Sequence, residues 1–121
     1  MGGSNIPPFL EGDELFEING IKWELYFVDS MSEKLIREDE SRTVGMTELD
    51  TNSVYIANNL SPEFEWKVIC HEVVHCAMFS YNIYLTVQEE ELIADLIATY
   101  GMEIIEIADK IFSRLHRRWI A

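Results

Sequence analysis

Residues 71–75 have the sequence His-Glu-Val-Val-His, an H-E-x-x-H pattern inside the strongest helix prediction of the chain. Residues four apart on a helix lie one turn apart on the same face, so the imidazoles of His71 and His75 can converge on one ion. Glu72 lies beside that face, where its carboxylate can reach a water on the ion without being a ligand. The pattern therefore predicts two metal ligands and a general base.

The predicted helix around this motif has a clear start. Ser61 is a favourable N-cap and Pro62 a favourable first residue, and the helix is expected to end near Ser80. The motif is flanked by apolar residues on nearly all sides: Val68, Ile69, Val73, Val74, Ala77 and Met78. Such a helix is expected to be buried, where histidines and a glutamate need partners. A cation would serve all three, and pairing with surface acids is the alternative.

A second helix is predicted to follow after a short connection. Thr86 and Glu89 have the spacing of a capping box, and the helix is expected to run from about Val87 to beyond Leu115. The short connection implies that the two helices are antiparallel. Gly101 lies inside the second helix, where it either kinks the helix or allows another element to approach closely.

The start of the second helix is acidic and supplies candidates for a third ligand, because a catalytic zinc site has three protein ligands and one position for water. Glu91 is the preferred ligand, since it shares a face with the small residues Ala94 and Ala98. Glu90 is the rival ligand. Asp95, one turn after Glu91, could accept the outer ring proton of a ligating histidine. The structural alternative is an acidic first turn that only complements the helix dipole.

Strands are predicted before the helices. Within residues 15–28, apolar residues alternate with period two from Ile21 to Phe27, a shorter apolar run precedes them, and Asn19-Gly20 between the two runs is a hairpin turn signal. Residues 43–49 and 54–57 predict a second hairpin, and residues 31–37 are either a helical turn or a loop. The expected fold class is α+β, with a small, mostly antiparallel sheet packed on two main helices.

Composition limits the domain organisation and the compartment. The chain has 121 residues and 48% hydrophobic residues, which fits one domain over residues 13–121 after a flexible lead-in at residues 1–12. No membrane span or secretory signal is recognised, so a cytoplasmic location is expected. Cys70 and Cys76 lie six apart in the predicted helix, which is unsuitable for a disulfide, and are expected to be reduced thiols.

The net charge of −13 disfavours direct binding to nucleic acid or to anionic membranes. The charge either keeps the protein soluble or attracts a basic protein or peptide. Both explanations remain open from the sequence.

Several of these features together resemble a known family. A hairpin strand, an S-P-E helix start, H-E-V-V-H and the segment E-L-I-A-D-L-I-A at residues 91–98 resemble the zincin-like metallopeptidases of the ImmA/IrrE group, which is common on phages and other mobile elements. The resemblance covers roughly residues 43–108, and the E-x-x-A spacing of Glu91 and Ala94 points to this group. Glu91 and Asp95 also resemble the E-x-x-x-D of gluzincins such as thermolysin.

The resemblance implies a zincin-like fold, a Zn²⁺ cofactor, Glu91 as the third ligand and Asp95 as support for a ligand histidine. It further implies hydrolysis of a protein or peptide substrate, with a regulatory role. The strand at residues 54–57 resembles the zincin edge strand that binds an extended peptide, and an ordinary core strand is the alternative. A metzincin extension is absent, because Met78 and Tyr81 stand where glycine and histidine would be needed.

Other parts of the prediction stay open. His116 is a poor third ligand because it lies among arginines at the end of the second helix, and a transition-state donor could come from Tyr81, Tyr84 or Tyr100. The second hypothesis is a zinc-stabilised binding or regulatory module without turnover. The substrate and the oligomeric state are not predicted.

Overall fold

The computed structural model describes residues 12–120, and the side chains of residues 12–117. Four strands are followed by two helices: β1 Glu14–Ile18, β2 Ile21–Val28, β3 Gly45–Glu48, β4 Ser53–Ala57, α1 Pro62–Ser80 and α2 Val87–Ile120. The predicted α+β class and the two main helices are confirmed. The predicted lead-in lies outside the described residues except for Gly12, whose backbone N–H donates to the carboxylate of Glu24 at 3.1 Å.

The sheet is mixed, with the strand order β1-β2-β4-β3. β1 with β2 and β3 with β4 are antiparallel hairpins, as predicted, while the central strands β2 and β4 are parallel. Asn19 and Gly20 form the first turn with φ of 50° and 80°, the left-handed conformation that a two-residue hairpin turn requires. The sheet is therefore built from two local hairpins joined by one parallel pair.

β4 is an interior strand, and all five of its residues are buried. Val54 and Ile56 face the core beneath α1, whereas Tyr55 packs with Leu35 on the opposite side of the sheet. Leu35 belongs to a 3-10 turn at Glu33–Leu35, which settles the open assignment of residues 31–37. The suggestion that residues 54–57 form the edge strand is wrong, because β4 pairs on both sides and β3 occupies that edge.

The first hairpin fixes the C-terminal end of α1. Trp23 donates its indole N–H to the Ser80 hydroxyl at 3.0 Å, and the Asn19 side-chain amide donates to the Ser80 backbone carbonyl at 2.9 Å. Phe79 meets the Trp23 ring edge to face, with the ring centroids 5.9 Å apart. At the other end, Ser61 caps the helix by accepting from the Phe64 N–H at 3.4 Å. α1 is thus held against the sheet within the predicted limits.

β3 approaches α1 so closely that only glycine fits at position 45. A Cβ added to Gly45 would lie 2.7 Å from Val68 Cγ1 and 2.9 Å from Glu72 Oε2. Thr47, two residues later on the same face of the strand, also points to α1. The edge strand therefore lies directly against the H-E-x-x-H motif.

Only the first part of α2 packs against α1. The helix begins with the predicted capping box, in which Thr86 N–H donates to Glu89 at 2.9 Å and Glu89 N–H donates to the Thr86 hydroxyl at 3.1 Å. Ala94 and Ala98 are buried, whereas every side chain described after Gly101 is exposed. The helix continues through Gly101, where an added Cβ would meet only Ile97 of the same helix. Across residues 12–120, no helix has an apolar stretch long enough to cross a membrane.

We expect Gly45→Ala to destabilise the protein by about 1–3 kcal/mol, the usual cost of overpacking, because the new methyl group would push β3 away from α1. Denaturant unfolding measures this change. Gly101→Ala is the matched control and should leave stability unchanged or raise it by up to about 1 kcal/mol, since alanine is the better helix former. Equal stability of Gly45→Ala and the wild type would contradict the close contact between β3 and α1.

Candidate metal centre

His71 and His75 lie one turn apart on the side of α1 that faces α2. Their Nε2 atoms are 3.1 Å apart, and their side chains are 20% and 12% exposed. The two rings meet nearly edge to face, with their centroids 4.9 Å apart. The motif spacing therefore brings the two inner ring nitrogens together at the interface of the two helices.

Glu91 of α2 completes this group. Its Oε1 lies 3.0 Å from His71 Nε2 and its Oε2 lies 3.1 Å from His75 Nε2. Nitrogen and oxygen ligands about 2.0–2.1 Å from a tetrahedral ion lie about 3.3 Å from one another, which is close to these separations. His71, His75 and Glu91 are therefore a group that could hold a metal ion.

The outer nitrogens of both rings are engaged by carboxylates. His71 Nδ1 lies 2.9 Å from Asp95 Oδ1, and His75 Nδ1 forms a short hydrogen bond with Glu90 Oε2. An ionised carboxylate can only accept, so each Nδ1 must carry the ring hydrogen. In a neutral imidazole this leaves a lone pair on Nε2. In that form both inner nitrogens present lone pairs to each other and to Glu91.

Such an arrangement requires a positive charge at its centre. Two nitrogen lone pairs and a carboxylate about 3 Å apart repel one another unless a proton or a cation lies between them. A proton joins only two of these atoms, whereas a divalent cation binds all three. The chemistry of the donor set therefore fits a cation better than a hydrogen-bonded pair.

Glu72 lies beside the histidine face of α1, on the side that faces β3. It is buried, and the Thr47 hydroxyl donates to its Oε1 at 2.7 Å. Burial raises the pKa of the Glu72 carboxyl, while the bond from Thr47 and the neighbouring histidines act in the opposite direction. Its Oε2 lies beside Gly45, where the missing side chain leaves space. Thr47 thus holds one carboxylate oxygen, and the Glu72 side chain lines the same cleft as the two histidines.

A cleft of about 1150 Å³ opens over these residues. It is bounded by β3, α1, the first part of α2 and the segment after β2, and Glu72, His71 and His75 all line it. The Glu91 side chain is 49% exposed, so the group is accessible from one side. A ligand that enters the cleft can therefore reach the exposed side of the group formed by His71, His75 and Glu91.

The structure assigns different positions to the two rival acids. Glu91, the preferred ligand, approaches both inner nitrogens, while Glu90 contacts only the outer nitrogen of His75. Asp95 lies against the outer nitrogen of His71, where its suggested supporting role would place it. The sequence analysis did not predict the contact between Glu90 and His75, although the antiparallel arrangement of the helices implies it. His75 lies nearer than His71 to the segment that connects the helices, so it meets an acid nearer the start of α2.

The remaining candidates lie elsewhere. Tyr81, Tyr84 and Tyr100 are exposed, and within the described side chains none of them lines the cleft. His116 stacks on Phe112 at the far end of α2, with the ring centroids 4.0 Å apart. These four residues are not brought to the site.

Both cysteines are free, as predicted. Burial raises the pKa of Cys76 to about 12, and burial also raises the pKa of Cys70. Neither thiol belongs to the group formed by His71, His75 and Glu91. The site therefore depends on nitrogen and oxygen donors.

Comparisons with known proteins leave the family open, because no protein-family model, no curated protein and no solved structure matches the chain.

We expect a divalent cation to stabilise the wild type against thermal unfolding, by about 2.7 kcal/mol when the free cation is at one hundred times its Kd. His71→Ala and Glu91→Ala should lose this response, because a site left with two ligands binds weakly. His116→Ala is the matched control and should retain it. Unfolding curves with Zn²⁺ and with a chelator test this, and a full response in the ligand variants would exclude the site.

We expect Glu90→Gln and Asp95→Asn to lower metal affinity about 10- to 100-fold without abolishing binding, because these acids orient the histidines from outside the group. Competition with a chromophoric chelator measures the affinity. Glu103→Gln, on the exposed part of α2, should leave affinity unchanged. If Glu90→Gln removed binding as completely as Glu91→Ala, Glu90 would be a ligand and the assignment above would fail.

Proposed function

We propose that this protein is a zinc metallopeptidase with a zincin-like fold, related to the ImmA/IrrE group. The observation that carries the proposal is the convergence of His71 Nε2, His75 Nε2 and the Glu91 carboxylate at 3.0–3.1 Å, with the Glu72 carboxylate lining the same cleft. A metal-binding group alone would be compatible with many functions. The adjacent buried glutamate adds the proton acceptor that hydrolysis requires.

Zinc is the cation that this donor set favours. Two imidazoles and one carboxylate are a ligand set of catalytic zinc sites, in which a further position stays open for water or substrate. The open side at Glu91 supports this choice. When bound, zinc would polarise a peptide carbonyl and lower the pKa of water to about 7.

Glu72 is the proposed general base. Thr47 holds Oε1 of the carboxylate through the 2.7 Å hydrogen bond, so the orientation of the side chain is fixed before a substrate binds. Oε2 would take the proton from the attacking water and then pass it to the amine that leaves when the peptide bond breaks. Thr47 is therefore a positioning residue in this mechanism.

An extended protein or peptide segment is the proposed substrate. β3 borders the cleft and pairs only with β4, so within residues 12–120 its outer edge has no partner strand. A substrate strand could add to this edge through main-chain hydrogen bonds, which would bring it past His71 and Glu72. This role, suggested from the sequence for residues 54–57, is now proposed for β3. A regulatory protein as substrate and a cytoplasmic location remain part of the proposal.

We expect Glu72→Gln to lower peptide cleavage about 10²- to 10⁴-fold while zinc binding and the fold persist, because the amide cannot accept a proton from water. Cleavage of a proteome-derived peptide library by the zinc-loaded protein, followed by mass spectrometry, provides the measurement. Glu63→Gln, an exposed position in the first turn of α1, is the matched control and should cleave as the wild type does.

The same experiment separates the two candidate functions. Zinc bound at one per chain with no cleavage of any peptide would favour the module without turnover. Equal cleavage by the wild type and Glu72→Gln would refute the assigned base. Loss of zinc from Glu72→Gln would instead indicate that this carboxylate is a ligand.

A further inference from the structure

The cleft extends from the metal-binding group towards the start of α1, which forms its floor. Residues of α1 line it in two rows, each with a spacing of four: Phe64, Val68 and Glu72 in one row, and Lys67, His71 and His75 in the other. Within the described side chains, no residue of α1 after His75 lines the cleft. From His71 back to Phe64 the helix rises about 10 Å, the length of about three residues of an extended strand. The cleft can therefore hold a substrate segment on one side of the metal-binding group.

β3 runs alongside the first of these rows. A Cβ added to Gly45 would lie 2.7 Å from Val68 Cγ1, and Thr47 bonds to the motif glutamate one helical turn later. Two strand residues advance by about 6.6 Å and one helical turn by about 5.4 Å, so the strand and the helix run in the same direction at a similar pace. Thr43, two residues before Gly45, is therefore level with Phe64, one turn before Val68. Both Thr43 and Phe64 line the cleft.

The end of the cleft at Phe64 is lined by apolar side chains from α1 and from the segment between β2 and β3. Phe64 is 47% exposed, and Ile36 is 37% exposed. Ile36 lies next to the start of β3, because it forms a β-bridge with Arg42. Val44 also lines the cleft and packs against the core cluster that contains Val68. We define the apolar subsite as Ile36, Val44, Phe64 and Val68.

The apolar subsite leaves two large side chains open to water inside a cleft. A single exposed apolar side chain is ordinary on a protein surface, but apolar side chains that line a cleft beside reactive polar groups are typical of a ligand site. Charged residues of both signs line the cleft around this end, among them Lys34, Arg37 and Glu38. The Arg37 guanidinium already donates to the Ser41 hydroxyl at 3.2 Å. Apolar contact, rather than charge, is therefore the property that can select a substrate here.

We propose that the apolar subsite binds a large apolar side chain of the substrate, about three residues from the scissile bond. The inference rests on the proposed peptidase function and narrows its substrate class to extended segments with a leucine, methionine or aromatic residue at that distance. A strand paired with the outer edge of β3 would direct every second side chain towards α1, so one of them would cover Phe64 and Ile36. We expect discrimination of about tenfold, the lower end of what apolar pockets achieve, because the subsite is open on one side.

Cleavage of a peptide library with randomised positions on both sides of the scissile bond tests the apolar subsite. The zinc-loaded wild type should select large apolar residues about tenfold at one position on one side of the cleaved bond. Phe64→Ser and Ile36→Ser should each lose most of this selection, because the serine side chain offers no apolar surface to the substrate. Both positions are partly exposed, so the variants should keep the fold and bind one zinc per chain. Trp66→Ser is the matched control, since Trp66 is 43% exposed on α1 but does not line the cleft, and it should select as the wild type does.

The outcomes separate this inference from the function on which it rests. If the wild type cleaves no peptide in a manner that depends on Glu72, the proposed peptidase function fails and the subsite assignment fails with it. Cleavage that depends on Glu72 but shows no apolar selection would overturn the subsite alone. The same conclusion would follow if the selection persisted in both Phe64→Ser and Ile36→Ser.

Discussion

The outer ring nitrogens of both histidines of α1 form hydrogen bonds to carboxylates of α2. These contacts join the two helices. Because Asp95 and Glu90 each accept from an Nδ1 atom, the neutral form of each ring has its lone pair on the inner nitrogen. The Glu91 carboxylate lies about 3 Å from both inner nitrogens. Three donors from two helices can stay this close only around a positive charge, so a bound cation would link α1 to α2 and its affinity would contribute to folding.

α1 contains His71, Glu72 and His75, and it packs between α2 and β3, which contact different members of this motif. On one side α2 brings three acids to the histidines across an interface kept narrow by Ala94. On the other side β3 brings Thr47 to Glu72, and the absence of a side chain at Gly45 allows that approach. The sheet thus orients the glutamate while the second helix orients the histidines, and neither partner has to do both.

Most local elements could be predicted from the sequence. The cap at Ser61, the Thr86–Glu89 box and the turn at Asn19-Gly20 are governed by neighbouring residues, and the structure has all three. The order of the strands could not be predicted, since the parallel pairing of β2 with β4 depends on contacts between distant residues. The edge position was therefore assigned to the wrong strand, and the bond from Thr47 to Glu72, 25 residues apart, gave no signal.

Within residues 12–120 the outer edge of β3 is unpaired, which exposes the protein to unwanted strand pairing. A strand with free main-chain donors and acceptors is a template for uncontrolled pairing with other chains, and proteins limit this with short edge strands and charged residues. β3 follows both strategies, because it spans only four residues and ends at Glu48. Its brevity restricts an incoming strand to a few hydrogen bonds, which guards the folded protein against aggregation through this edge.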